Sequence, residues 1–204
     1  MTDLGERYEE HHRARRDEGD FVFVPERIPL FQAAIGKSGK RVLDLGCRSG
    51  ALTRHFLEGN SVVGLDVDAS ALQKAAALGI EPVQANVEEP LPFEDASFDA
   101  VVAGELLEHL QFPDELIAEI RRVLRPGGII VGSVPNAFRL QSRLRFLRGR
   151  PPEDDPTHLR MFSPVALRAL LVGFENVQLS YVGGRYARLH ARLFARDLVF
   201  SAKR

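Results

Sequence analysis

The stretch Val42-Leu43-Asp44-Leu45-Gly46-Cys47-Arg48-Ser49-Gly50 joins a short apolar run to a turn that contains two glycines. A short, nearly continuous apolar run predicts a strand that is buried on both faces. Glycines let the backbone turn tightly and approach a ligand, and we predict a helix over Gly50–Glu58 whose first N–H groups face the turn. Asp66, twenty residues after Gly46, ends a second predicted strand. A carboxylate there can accept hydrogen bonds from ribose hydroxyls, so the pattern predicts a cofactor that contains a nucleoside.

Apolar runs and amphipathic stretches alternate along the chain, which predicts an α/β fold with a parallel sheet covered on both faces and right-handed crossovers. The predicted strands are Arg41–Leu45, Ser61–Leu65, Pro82–Ala85, Phe98–Ala103, Ile129–Val134, Phe174–Val182 and Asp197–Ala202. The predicted helices beyond the first turn are Ala69–Leu78, Pro113–Leu124, Ala137–Leu147 and Pro164–Leu171. Ser163 is the expected N-cap of the last helix, with Pro164 at its first position.

The 204 residues fit a single domain with a sizeable core. We predict an N-terminal helical cap over residues 1–40, with helical apolar spacing between Pro25 and Ile35, and a lid over residues 137–160. The formal net charge of -1 gives no global indication of a nucleic-acid partner. With Cys47 as the single cysteine and no apolar run of about 18 residues, we expect a cytoplasmic protein without a transmembrane segment. These features leave the oligomeric state open.

The spacing of the glycines separates two classes of nucleoside cofactor. A dinucleotide fingerprint needs glycine at positions one, three and six, but counting from Gly46 places Arg48 third and Ala51 sixth. The stretch instead resembles motif I of the class I S-adenosylmethionine (SAM)-dependent methyltransferases, Asp-x-Gly-x-Gly-x-Gly. Asp44, Gly46 and Gly50 are in place, and Arg48 replaces one glycine. The Arg48 side chain then either pairs with the SAM carboxylate or points to solvent.

Further motifs follow in the order typical of the small methyltransferases often called type 11 and type 12. They are Gly64–Asp68, Gln84–Phe93, Glu94–Asp99, Leu107–Leu110 and Leu124–Gly128, with a fainter match at Thr157–Ser163. The resemblance implies a Rossmann-like, seven-stranded, mostly parallel sheet whose last strand is antiparallel. It implies SAM as cofactor, S-adenosylhomocysteine (SAH) as product, and cofactor contacts from Asp44, Gly46, Cys47, Arg48, Gly50, Asp66, Val67, Asn86, Val87 and Glu105. These enzymes more often have aspartate where this chain has Asn86, whose carbonyl can still accept a hydrogen bond from adenine.

Glu105, Glu108 and His109 have the spacing i, i+3 and i+4, which predicts one face of a helix after the fourth strand. That face lies at the carboxyl ends of the strands, where open α/β sheets bind ligands, and His158 can reach it from the lid. We favour His109 or His158 as a general base that needs no metal. As the alternative, the four side chains resemble the metal site of small-RNA 2′-O-methyltransferases and ubiquinone-pathway O-methyltransferases. There a divalent cation would lower the pKa of the acceptor hydroxyl. Purely structural roles for the two glutamates are also open.

Arginines crowd the predicted lid, at positions Arg139, Arg143, Arg145, Arg148 and Arg150. Leu140, Leu144 and Leu147 form an i, i+4, i+7 stripe beside them, which predicts an amphipathic helix whose apolar side packs on the domain or over the site. The arginines can receive an anionic group of the acceptor, lie on an anionic membrane, contact RNA phosphates or stay solvated.

Taken together, the motifs predict transfer of the SAM methyl group to an oxygen or nitrogen of a small acceptor, which the arginines allow to be anionic. The slightly negative charge and the lack of an RNA-binding aromatic signature argue against nucleic acid. Two alternatives remain: a non-catalytic SAM-binding regulatory protein and a metal-dependent RNA 2′-O-methyltransferase. The glycine spacing argues against a third, a nicotinamide-dependent oxidoreductase.

Overall fold

A computed structural model describes residues 25–153 and 155–204, which form a seven-stranded sheet with the order β3-β2-β1-β4-β5-β7-β6. The strands are β1 (Arg41–Leu45), β2 (Ser61–Asp66), β3 (Glu81–Gln84), β4 (Phe98–Gly104), β5 (Leu124–Pro135), β6 (Glu175–Val182) and β7 (Asp197–Lys203). Strands β1 to β5 pair in parallel, and β7 runs antiparallel to both β5 and β6. The predicted mostly parallel sheet with an antiparallel last strand is confirmed.

Six α-helices lie within the described residues. They are α1 (Ile28–Ile35), α2 (Ala69–Ala77), α3 (Pro113–Val123), α4 (Leu140–Leu147), α5 (Pro164–Leu170) and α6 (Ala191–Phe194). Helix α3 illustrates why they form: proline starts it, acidic residues fill its first turn and arginines its last, which complements the helix dipole. Ser163 caps α5 as predicted, since its hydroxyl accepts the Ala166 N–H at 3.1 Å.

The core lies on both faces of the sheet, because successive strand residues point to opposite sides. In β1, Leu43 and Leu45 join the larger cluster, which packs under α3 and α5, while Val42 joins the smaller cluster with α1 and α2. Because β1 to β5 run parallel, their carboxyl ends lie along one edge of the sheet. The predicted site residues come from this edge.

Several predicted bounds are wrong. No α-helix covers Gly50–Glu58, where the chain makes a turn and a single 3₁₀ turn at Thr53–His55. The strand predicted at Ile129–Val134 is part of a longer β5 that begins at Leu124, and the lid helix begins at Leu140 rather than Ala137. The described part of the predicted N-terminal cap forms α1, and residues 1–24 lie outside the described residues.

Candidate functional site

The turn after β1 is held against the end of β2 by main-chain hydrogen bonds. The N–H groups of Gly46 and Cys47 donate to the carbonyl of Leu65 at 2.8 and 3.2 Å. Gly46 and Gly50 have φ angles of +69° and +80°, which favour glycine. A Cβ on Gly50 would lie 2.5 Å from Ile80 Cδ1, so the end of that side chain would have to shift to admit one.

Cys47 and Arg48 take different places in this turn. The Cys47 side chain is buried, and burial raises the pKa of its thiol, so only its backbone lines the turn. Arg48 has a φ of +51°, the left-handed conformation for which a glycine would be suited. Its side chain is partly buried, and burial lowers its pKa while the charges of Asp66 and Asp68 oppose that shift. The Arg48 side chain therefore lies near two carboxylates rather than extending freely into solvent.

Asp66 ends β2 and ties the two neighbouring segments together. Its Oδ2 accepts the Arg48 N–H at 2.8 Å, and its Oδ1 accepts the Asp68 N–H at 2.9 Å. The residue is 6% exposed, and burial raises its pKa against the effect of these two bonds. Because a carboxylate has about four lone-pair sites, each oxygen keeps one for a ligand hydroxyl.

Asp44 lies in β1 and is hydrogen-bonded to Thr53, in the segment that follows the turn. Its carboxylate accepts the Thr53 hydroxyl at 2.6 Å and is 3% exposed. Burial, with a smaller contribution from Asp66, raises the pKa of Asp44 from 3.8 to about 7 although the Thr53 bond lowers it. Asp44 thus positions the turn through Thr53.

The raised pKa of Asp44 predicts a specific pH dependence of stability. The folded chain retains a proton that the unfolded chain releases above the ordinary pKa of 3.8, so stability from this carboxyl is present in acid and is lost as the pH rises through about 7. Between pH 5 and pH 8, the wild type should therefore lose about 1–3 kcal/mol more free energy of unfolding than the Asp44→Asn variant, which lacks this carboxyl. Urea unfolding at both pH values measures it. The exposed Asp114→Asn variant should follow the wild type, and an unchanged slope in Asp44→Asn would contradict the prediction.

The residues predicted to border the adenine follow β3, which lies beside Asp66 because β2 and β3 are paired with Asp66 opposite Gln84. Gln84 Nε2 donates to the Val67 carbonyl at 3.2 Å, and Val87 is partly buried against the larger core. Asn86 uses its side-chain carbonyl in the local turn, where it accepts the Glu88 N–H at 3.0 Å. Asn86 therefore first stabilises the turn, and its carbonyl keeps one lone pair for a ligand.

A buried ion cluster that the sequence reasoning missed lies at the ends of β4 and β5. Arg27, just before α1, pairs with Asp197 at 3.0 Å and with Glu105 at 3.3 Å, and it donates to Ser133 Oγ at 3.1 Å. Burial raises the pKa of Glu105 to about 7, although Arg27 lowers it. Glu105 also has a φ of +52°. No periodic pattern marks Arg27, because its partners come from three distant segments.

The predicted helix with Glu105, Glu108 and His109 on one face is wrong. Only a 3₁₀ turn forms, at Leu107–His109, and Glu105 precedes it in a left-handed conformation. The turn nevertheless brings Glu108 and His109 to His158: in the described residues, one ligand atom of each lies within 4.8 Å of the others. The lid segment is held at this turn by the Glu108 carbonyl, which accepts hydrogen bonds from the N–H groups of Leu159 and Arg160 at 2.8 and 3.1 Å.

The two imidazoles of this cluster have different environments. Their ring centroids are 4.8 Å apart and the rings are nearly perpendicular. Thr157 contacts Nδ1 of His109 through its carbonyl at 3.2 Å and its hydroxyl at 3.1 Å. His158 Nδ1 lies 2.6 Å from Glu153, and Asp155 is 3.7 Å from its Nε2. Burial lowers the pKa of His158, but the Glu153 bond and the charges of Glu153 and Asp155 raise it overall.

Glu108 is the acid that lies with these two histidines, and it is almost fully buried, with 1% exposure. Neither carboxylate oxygen has a hydrogen-bond partner among the described residues. Burial, with the charge of Glu105, raises its pKa well above the ordinary value. A carboxyl in this state is either protonated or matched to a cation.

The predicted packing of the lid helix is also wrong. Within α4 the buried residue is Ser142, while Leu144 is 40% and Leu147 78% exposed. Leu140 is half-buried, but the rest of the apolar stripe faces outward. Elsewhere, none of the helices in the described ranges has the length and apolar character to cross a bilayer.

Comparison with known proteins gives a consistent picture. Residues 43–132 match the family described as "Methyltransferase domain". A Mycolicibacterium smegmatis protein named "Probable S-adenosylmethionine-dependent methyltransferase/" is 34% identical over 163 residues, 78% of this chain and 61% of that protein. A "Ubiquinone biosynthesis O-methyltransferase" of Pasteurella multocida is 34% identical over 140 residues, 58% of each chain. The chain thus spans about three fifths of these relatives.

A similar fold is also found among solved structures. The crystal structure of a SAM-dependent methyltransferase from Archaeoglobus fulgidus superposes with a TM-score of 0.73 and 22% identity, covering 96% of this chain and 99% of that one. At this identity the likeness concerns the fold.

Proposed function

Because the chain belongs to the class I SAM-dependent methyltransferases, we propose that it transfers the SAM methyl group to a hydroxyl of a small acceptor that can be anionic. An oxygen acceptor is favoured over nitrogen by the names of several relatives, which are ubiquinone biosynthesis O-methyltransferases. The observation that carries the proposal is the pairing of the turn at Gly46–Gly50 with Asp66 at one edge of the sheet.

The residues at this edge fit a cationic cofactor. Asp44, Asp66, Glu105 and Glu108 are carboxyl groups whose pKa values burial raises. A sulfonium and an ammonium group would stabilise the charged forms of nearby carboxylates and thereby lower these pKa values. Hydroxyl groups of a ribose would use the remaining lone pairs of Asp66. When bound, SAM supplies an activated methyl group on a sulfonium.

The chain's own residues then divide into three groups. Asp44, Gly46, Cys47, Arg48 and Gly50 shape the turn at the methionine end, Asp44 through Thr53 and Cys47 through its backbone. Asp66 and Val67 border the ribose, and Asn86 and Val87 border the adenine. Glu105 faces the space between the cofactor and the acceptor.

His109 is the better candidate for the general base. His158 is held by Glu153 and has a raised pKa, so its protonated form is favoured. A protonated imidazole cannot accept a proton from the acceptor hydroxyl. His158 therefore acts through His109, against whose ring it packs, as a positioning residue.

A divalent cation is the second candidate arrangement. The carboxylate of Glu108 lacks partners in the described residues, and Glu108, His109 and His158 offer ligand atoms within 4.8 Å of one another. Glu105, the fourth expected ligand, is outside this group and pairs with Arg27. Oxygen and imidazole nitrogen ligands suit a borderline divalent ion. Loss of turnover after dialysis against EDTA, with recovery on adding Mg²⁺ or Zn²⁺, would favour this arrangement. Full turnover in EDTA would favour the metal-free base.

The role of His109 predicts a kinetic effect. We expect His109→Ala to lower kcat by about a hundredfold, because a positioned general base contributes about that much. The KM for SAM should change little. The measurement is SAH release with 3,4-dihydroxybenzoate, a small anionic catechol, as acceptor. His190→Ala, which removes an exposed histidine, is the control. A kcat equal to that of the wild type would exclude His109 as the base.

Methyl transfer itself is tested by incubating the full chain with labelled SAM and three acceptor classes: catechols, amines and RNA. Label transferred to catechol oxygen supports the proposal. Label on RNA that depends on a divalent metal would favour an RNA 2′-O-methyltransferase. Micromolar binding of SAH without transfer to any acceptor would favour the non-catalytic SAM-binding protein.

A further inference from the structure

Most of the large apolar side chains that are exposed in the described residues come from one part of the sequence. Of the twelve large apolar residues that are exposed within the described ranges, ten lie between Phe138 and Leu189. Three of them project from or beside α4: Leu144 is 40% exposed, Phe146 68% and Leu147 78%. Leu189, close to α6, is 78% exposed as well. Such a concentration exceeds the scattered single apolar residues of an ordinary surface.

The exposed residues of α4 lie on one surface with Phe138, Val165 and Leu189, because α4 packs against α6 and a groove of about 460 Å³ is lined by residues of both helices. Phe138 and Val165 supply exposed apolar walls of the groove, and arginines from three segments surround it. The arginines are Arg143 of α4, Arg168 of α5 and Arg192 of α6. We call the surface made by α4, this groove and the segment 185–192 the basic apolar face.

The charge of this region is opposite to that of the rest of the chain. Ten arginines, no lysine and four acidic residues fall between Ala137 and Arg192, although the whole chain has a net charge of -1. Two of the four acids, Glu153 and Asp155, face His158 and not the basic apolar face. Arginine binds phosphate oxygens bidentately and loses less hydration than lysine, so this composition suits phosphate-bearing partners.

We propose that the basic apolar face docks on the surface of an anionic lipid bilayer. The exposed leucine, valine and phenylalanine side chains would enter the boundary between headgroups and acyl chains, while the arginines contact lipid phosphates. RNA phosphates would satisfy the arginines alone and leave the aliphatic side chains in water. A lipid surface accounts for both features, and it would present amphiphilic molecules next to the carboxyl end of β5, where Asn136 lines the groove.

The test is cosedimentation of the full chain, without SAM, with vesicles of phosphatidylcholine alone or with a quarter phosphatidylglycerol. We expect retention on the anionic vesicles that weakens steeply with salt. The double variant Phe146→Ser/Leu147→Ser should lower the partition coefficient at least about tenfold, since it removes apolar burial. Arg143→Glu/Arg192→Glu, which reverses two exposed arginines that line the groove, should do so by a similar factor.

Two controls match these variants. Val172→Ser removes a side chain of the same 78% exposure that lies beside α3, outside the basic apolar face. Lys37→Glu/Lys74→Glu reverses two exposed cations elsewhere. Both should bind vesicles like the wild type, and SAH titration checks that every variant is folded. Equal binding to neutral vesicles, unchanged binding of the serine variant, or retention of poly(U) RNA in place of vesicles would overturn the proposal.

Discussion

Replacing Asp66 with alanine is expected to weaken the binding of SAM and SAH by at least about a hundredfold. The variant removes two acceptors for the ribose hydroxyls, and hydrogen bonds to a charged group contribute about 1.5–3 kcal/mol each. It also leaves the N–H groups of Arg48 and Asp68 without the carboxylate to which they donate. Because the Arg48 conformation is left-handed, the turn should lose its fixed shape together with this anchor. Calorimetric titration with SAH measures the loss.

Asp68 provides the matched control. It is 4% exposed, close to the 6% of Asp66, but its side chain caps α2 by accepting the Ala71 N–H at 2.9 Å. Asp68→Ala should therefore cost about 1 kcal/mol of stability through the lost cap, and its affinity for SAH should stay within a few fold of the wild type. Equal losses of affinity in the two variants would show that the Asp66 effect is structural and would contradict ribose binding.

The central strands could be predicted from the sequence because they form compact apolar runs whose burial fixes their place. The edge strand β3 is mostly exposed, and its prediction rests on its position after a helical segment. The turn at Gly46–Gly50 and Asp66 could be predicted as well, since both follow directly from strand ends. The helix expected after Gly50 does not form. There Thr53 directs its hydroxyl to buried Asp44, and Gly50 packs against Ile80, so tertiary contacts override the local preference.

The acceptor side was less predictable, because its parts meet only through long-range contacts. The sequence indicated that His158 can reach His109, but the link is a pair of main-chain bonds to the Glu108 carbonyl, which no side-chain pattern encodes. The outward face of α4 was predicted wrongly for a related reason. An i, i+4, i+7 stripe predicts which side of a helix is apolar, and it does not tell whether protein or another phase covers that side.

Arg27→Met is expected to destabilise the fold by about 3–5 kcal/mol, because it leaves buried charges without their partner. Asp197 is 6% exposed and lies 3.0 Å from Arg27, and Glu105 depends on the same guanidinium. The cluster also joins the start of α1 to β5 through Ser133, so its loss should loosen α1 from the sheet. Urea unfolding followed by circular dichroism gives the change in free energy.

The surface pair of Arg125 with Asp99 is the control for Arg27→Met. Its N–O distance of 2.8 Å is shorter than either Arg27 ion pair, but the Arg125 side chain is 46% exposed. Solvent screening should therefore limit the cost of Arg125→Met to about 1 kcal/mol or less. If burial sets the Arg27 effect, adding Asp197→Asn to Arg27→Met should restore part of the lost stability, since it removes the unpaired charge. Equal costs for the two arginine variants, or no recovery in the double variant, would show that the cluster is not held by its buried charges.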